Sequence, residues 1–347
     1  MIIKLANSQL LTDSRLRSWL VPHKITLPIV WLVTTISMTV FLIGDVGGTN
    51  LSIAIRHTLH AMYVVVLLWY LAWTGPSYSQ RPVINTQVLP RWKLVSWLPV
   101  LGIALIFWLN LVSDDGSDLL RLLMMVASGL ILLVWRRDIR LCTVIQGLSV
   151  AILAYLAGLQ LVNIGVLSKS WNIIFTAFTL PMFIAGGLLF KRTRLGGVRL
   201  LSGQYGEALK SVCVGSLLFL PLGLINALGD PIVDLTVVRE WWMPLWFPWW
   251  SGINEETWFR LYLVGLTYFL LRPAFHKYQS LAVIAAVLFS AITFGVGHGR
   301  DLGHFLTTGL LYGGSFAVIF VKRDWEHAVG AHYMVNMIPA LIAFLLN

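Results

Sequence analysis

Two adjacent carboxylates inside an apolar run are the first residues that could do chemistry. They are Glu255 and Glu256 in INEETWFRLYLVGLTYFLL, with Arg260 following Glu256 after one helical turn. Residues so spaced share a helix face, so Glu256 and Arg260 can pair. Glu255 lies about 100° further round the helix. One carboxylate can then be held by the arginine while the other faces a cavity, an asymmetry that gives two carboxylates different roles. The next apolar run ends in FSAITFGVGHG, where His298 follows Phe294 by one turn among Gly295, Gly297 and Gly299. Small residues let helices approach closely or leave room for a substrate. The last run contains AHYMVNMIP, which puts His332 and Asn336 on one face. Amide hydrolysis needs an activated water and a donor for the tetrahedral oxyanion. A carboxylate in a dry cavity is a stronger base than one in water. A catalytic zinc would use two histidines and a glutamate with an open position. Glu255, His298 and His332 could supply that set for Zn2+, although their order is not the H-E-x-x-H spacing. Each element alone also has a structural reading: an ion pair at a helix end, a satisfied interface histidine, and an interhelical hydrogen bond.

Elements that carry such groups must first exist in a very apolar chain. Of its 347 residues, 58% are hydrophobic and only 12% charged, against roughly 25% charged in a soluble domain. Continuous apolar runs of about 20 residues recur along the whole length, each long enough to cross a bilayer core of roughly 30 Å. Unbroken rather than alternating runs indicate helices. The expected fold is all-α, a polytopic transmembrane helical bundle of about eleven spans. They cover approximately 27–44, 53–74, 94–112, 119–135, 143–167, 172–190, 211–228, 249–271, 281–297, 302–321 and 328–346. A net charge of +10 would suit nucleic acid, but the charges sit in short clusters between apolar runs, so the expected partner is the lipid bilayer and not nucleic acid.

Loop charges alternate along the chain. One set of loops holds most of the 25 Lys and Arg, and the other set holds most of the aspartates. The positive-inside rule then places the N-terminus in the cytoplasm and the C-terminus outside, with a bacterial inner (plasma) membrane as the expected location. No cleavable signal peptide is expected, because residues 1–26 are polar and basic. Cys142 and Cys213 lie at span edges with neither metal nor disulfide spacing. The segment 241–250, WWMPLWFPWW, is expected to be a poor helix interior. It reads as an interfacial anchor, or as one wall of a substrate entrance. The basic, glycine-containing loop 191–210 is expected to lie on anionic headgroups. It divides the chain into an N-terminal membrane region, 1–200, of about six spans and unassigned function, and a C-terminal membrane domain, 201–347, of about five spans that carries the chemistry. No internal repeat of the kind that builds transporters is visible.

Taken together, E-E-x-x-x-R, F-x-x-x-H and H-x-x-x-N on successive spans resemble the three motifs of the CPBP family of intramembrane proteases. That family includes the type 2 (Rce1-like) CAAX prenyl proteases and the lysostaphin-resistance-like and bacteriocin-processing proteins. The resemblance covers about residues 250–340. It implies that Glu255 is the water-activating base, that His298 works on the same water, and that His332 and Asn336 stabilise the oxyanion. Glu256 and Arg260 would hold the site in shape. Both a metal-free glutamate mechanism and a metalloprotease mechanism are compatible with these residues. The expected activity is that of an intramembrane endopeptidase cutting a membrane-associated protein or peptide substrate. The alternatives are a non-catalytic membrane scaffold or immunity factor of the same family, and a transporter whose buried charges line an ion path.

Overall fold

In hydrocarbon the backbone has no water to bond to, so apolar runs of this length close their hydrogen bonds internally as helices. The computed structural model describes Tyr63, Leu98 and residues 101–105, 116–227, 240–276, 278–299 and 304–346; these form helices and turns and no strand. The first helices are α1 (Gly116–Val134), α2 (Leu141–Asn163), α3 (Lys169–Thr193) and α4 (Tyr205–Ala227). A short α5 (Met243–Trp246) precedes α6 (Pro248–Glu255), a π-helical stretch Glu256–Val264, and α7 (Gly265–Leu271). Then come α8 (Gln279–His298), a π-helical stretch His304–Gly313 that runs into α9 (Gly314–Lys322), and α10 (Trp325–Leu346).

Six of the described helices are long and apolar enough to cross a membrane: α2, α3, α4, α8, the continuous His304–Lys322 helix, and α10. Helix α1 adds a shorter apolar stretch, Leu119–Val134. The first three spans expected from the sequence fall largely outside the described residues, so the expected count of eleven stays an expectation. The span expected at 249–271 is helical throughout, but its hydrogen bonding shifts from α to π at Glu256 and back at Gly265.

Segment 241–250 corrects one expectation, because most of it is helical. Pro244 and Pro248 each stand in the first turn of a helix, α5 and α6. There the missing N–H would have had no partner in any case, so proline starts these helices instead of breaking them.

Close approach of backbones sets α10 against α4. A Cβ on Gly215 would meet the His327 carbonyl oxygen at 2.1 Å, and one on Gly330 would meet the Val212 carbonyl oxygen at 2.1 Å. Two helices can touch at this range only where glycine faces backbone. Ser216 Oγ donates to the Gly330 carbonyl at 3.0 Å and Asn226 Nδ2 to the Val335 carbonyl at 3.1 Å, so polar bonds reinforce the contact. Helix α10 is thereby fixed in register on both sides of His332.

The basic loop after α3 is held by protein. Arg199 Nε donates to Asp324 Oδ2 at 2.7 Å, and Trp325 N to the Gly197 carbonyl at 2.8 Å. The Leu200 N–H donates to Glu326 Oε1 at 2.7 Å. Asp324 also accepts from His327 N and Nδ1, at 2.9 and 2.6 Å, and from Ser211 Oγ at 3.2 Å. Burial alone would push the Asp324 carboxyl up, but the bonds from His327 and Arg199 outweigh it and hold it below the ordinary carboxylate range. This cluster clamps the loop to the start of α10.

Candidate active site

Glu255 is the last residue of α6, and Glu256 opens the π-helical stretch. Single π turns inside helices are frequent at functional sites. Here the turn starts between the two carboxylates and sends them to different surroundings. The Glu256 side chain is fully buried; its Oε2 lies 3.2 Å from Arg260 Nε, whose side chain is also fully buried. Arg260 also donates through a terminal nitrogen to the Gly313 carbonyl at 3.2 Å. Its guanidinium carbon stands 4.3 Å above the Phe294 ring centre, a cation–π contact in a site shielded from water. Glu256 Oε1 accepts from His332 Nδ1 at 2.7 Å. That bond fixes the His332 ring and turns its Nε2 toward Glu255.

Glu255 keeps 12% side-chain exposure and lines a cavity of about 240 Å³. Its Oε2 lies 3.8 Å from His298 Nε2 and 3.7 Å from His332 Nε2. His298 Nδ1 donates to the Phe294 carbonyl at 2.8 Å, one turn back, so its Nε2 is an acceptor in the neutral ring. The His332 ring is stacked on Phe316, with centres 4.7 Å apart and planes 14° from parallel. Asn336 lines the same cavity and donates through Nδ2 to Ser251 Oγ at 2.8 Å.

The six residues singled out in the sequence therefore meet at one place, from three stretches of chain. Glu255, His298, His332 and Asn336 line the cavity, while Glu256 and Arg260 stand behind it as a buried ion pair. Helix α10 starts at Trp325, so His332 is about 10 Å along its axis, deep enough to meet α6. Sequence reasoning missed Ser251, although the one-turn spacing from Ser251 to Glu255 was readable. It gave the Trp-rich segment two readings, and Phe247 and Trp250 do line the cavity. Trp250 is held there by its Nε1, which donates to Asn172 Oδ1 of α3 at 3.1 Å. Leu161 of α2 and Val166 just beyond it also line the cavity, so the wall is shared with the N-terminal region.

The zinc set can be tested against this geometry. Among the described residues no group of three or more His, Cys, Asp and Glu is disposed to hold a metal ion. The contacts of 3.8 and 3.7 Å from Glu255 Oε2 to His298 Nε2 and His332 Nε2 are too long for direct hydrogen bonds and short enough for a bridging water.

Residues 236–338 match the family model described as type II CAAX prenyl endopeptidase Rce1-like. No curated protein and no solved structure matches the chain. The matched range contains all six motif residues and the helices that bring them together. Residues 236–338 are thus similar to the Rce1-like domain, consistent with the CPBP family of intramembrane proteases, in a chain whose several apolar helices fit an integral membrane protein.

Proposed function

We propose that the chain is an intramembrane endopeptidase that hydrolyses a peptide bond of a membrane-associated protein or peptide, with Glu255 as the base. The observation that carries this reading is the position of Glu255 Oε2, between the Nε2 atoms of His298 and His332 at the wall of an apolar cavity. A water held between Glu255 and His298 can donate one hydrogen to the carboxylate and the other to His298 Nε2. Glu255 takes a proton as the water oxygen bonds to the scissile carbonyl carbon. The carbonyl π electrons move to oxygen, which then accepts from His332 Nε2–H and Asn336 Nδ2–H. In this step the His332 ring carries a hydrogen on each nitrogen, Nδ1–H bonded to Glu256 and Nε2–H to the oxyanion. Collapse of the intermediate breaks the C–N bond, and the proton held by Glu255 passes to the leaving amine. No step requires a metal.

The prenyl group in the matched family's name makes a prenylated C-terminus one substrate to try, beside an unmodified membrane-bound peptide. We read the N-terminus as cytoplasmic from the loop charges, and take a bacterial inner membrane as the location to test. Residues 1–200 and 201–347 are taken as two membrane regions, the second carrying the chemistry.

The test uses the purified full chain and its Glu255→Gln variant in liposomes. Each is given a quenched fluorogenic peptide ending in a farnesyl-cysteine CAAX sequence, and the same peptide without the lipid. Cleavage of either peptide by the wild type and not by Glu255→Gln is expected. Equal signals from the two proteins would favour the scaffold reading.

A further inference from the structure

Ser251 precedes Glu255 by one turn on α6, and Asn336 follows His332 by one turn on α10. Helices α6 and α10 pack together. The two pairs therefore form successive rungs between the helices. One rung joins Glu255 Oε2 to His332 Nε2 at 3.7 Å, and the next joins Ser251 Oγ to Asn336 Nδ2 at 2.8 Å. Ser251 and Asn336 both line the cavity.

The direction of the second rung is chemically determined. The Ser251 hydroxyl donates to the Pro248 carbonyl at 3.2 Å. A hydroxyl has one hydrogen, so with that hydrogen committed its oxygen can meet Asn336 only as an acceptor. It must then face the Nδ2 end of the carboxamide and not the Oδ1 end. Nδ2 carries two hydrogens, and Ser251 uses one of them, which leaves the other for an oxygen in the cavity. A carboxamide turned by 180° has almost the same shape, but it would set an acceptor against the developing oxyanion.

We infer that Ser251 is a positioning residue that selects the productive orientation of the Asn336 carboxamide, an inference that rests on the hydrolysis proposed above. Its effect falls on the transition state, because the oxyanion exists only there. Losing the Ser251 hydroxyl removes one neutral hydrogen bond, so the expected fall in kcat is about tenfold. Losing the Asn336 donor itself costs about 10²–10³.

The experiment compares wild type, Ser251→Ala, Asn336→Ala and the double variant, as full chains in liposomes with the quenched farnesylated peptide. Ser251→Ala is expected to lower kcat about tenfold with KM within about twofold of wild type. In the Asn336→Ala background it should cost nothing further, because Ser251 acts through Asn336. Ser251→Thr keeps the hydroxyl and should restore kcat. Ser251→Cys fills a similar volume with a weak acceptor and should behave like alanine, which keeps the test open if the alanine variant loses its fold. Multiplying losses in the double variant, or wild-type kcat in both Ser251→Ala and Ser251→Cys, would overturn the role of Ser251 alone. A wild type that cleaves no faster than Glu255→Gln would remove the protease reading, and the role of Ser251 with it.

Discussion

Replacing each glutamate of the pair by glutamine should produce two different defects. Glu256 and Arg260 are both fully buried, and Glu256 also accepts from His332 Nδ1 at 2.7 Å. Both neighbours of the carboxylate present N–H groups to it. A glutamine has one oxygen and one NH₂, so whichever way it turns, a donor faces a donor. The arginine charge is left without a counter-charge among Phe294, Phe316 and Phe259, whose ring centres lie 4.3, 5.4 and 5.7 Å away. Removing one partner of a buried ion pair typically destabilises by about 3–5 kcal/mol. At a few degrees per kcal/mol, that is a drop in melting temperature of about 10 °C. Glu255 differs in that it retains some exposure and its two histidine contacts are near 3.7 Å, so no close bond is lost. Glu255→Gln should melt within about 2 °C of wild type, while its rate falls by about 10²–10⁴ through loss of the base. The assay is thermal unfolding of the detergent-solubilised full chain, paired with peptide cleavage in liposomes. A Glu256→Gln protein that melts like wild type would refute the account of the buried pair. A Glu255→Gln protein with wild-type turnover would refute the assignment of the base.

Chelators should leave the cleavage rate unchanged; loss of activity that added zinc restores would instead make Glu255, His298 and His332 a metal site. The Asp324 clamp should respond to acid in a defined direction. Its carboxyl lies below its ordinary value in the folded chain, so its stabilisation is complete above the ordinary carboxylate range and is lost as pH falls through the lower folded value. Asp324→Asn should abolish that acid-dependent part and lower stability by about 3 kcal/mol at neutral pH, read from melting between pH 3 and pH 7. Gly330→Ala should force α4 and α10 apart, since its Cβ would lie 2.1 Å from the Val212 carbonyl oxygen; a loss of about 1–3 kcal/mol is expected in the same melting assay. Reporter fusions at residues 140, 200 and 347 should read cytoplasmic, cytoplasmic and external, and cytoplasmic signals at all three would show that the spans are miscounted.

The site was more legible in the sequence than the bundle around it, for a physical reason. Charged and hydrogen-bonding side chains are costly in an apolar span, so Glu255, Glu256, Arg260, His298, His332 and Asn336 stood out against their neighbours. One-turn spacing then gave the pairing of Glu256 with Arg260 and the common face of His332 and Asn336. Ser251 escaped notice because a small hydroxyl is cheap in a helix and common there, although the same spacing rule reaches it from Glu255. The π turn at Glu256 has no local signature, since it depends on what surrounds the helix. Arg199 was read with the basic loop as facing headgroups, whereas it reaches the buried Asp324. Loop charge reports on membrane side and says nothing of which cation turns inward. Apolar runs located α2, α3, α8 and α10 to within four residues and set the start of α4 six residues late, but hydropathy does not say which helices share a cavity. The walls supplied by Leu161 and Trp250 therefore had to come from the packing.

One residue, Phe294, touches residues of all three motifs. Phe294 is 2% exposed and sits one turn before His298. Its carbonyl accepts from His298 Nδ1 at 2.8 Å, and its ring centre is 4.4 Å from the His298 ring. The same ring lies 4.3 Å from the Arg260 guanidinium carbon and 5.8 Å, edge to face, from the His332 ring. Its electron-rich face thus supports the cation that holds Glu256, and Glu256 in turn holds His332 Nδ1. A leucine of similar bulk could fill the space but could not favour a buried cation. The aromatic ring links the proposed base side of the site, through His298, to the proposed oxyanion side, through Arg260, Glu256 and His332.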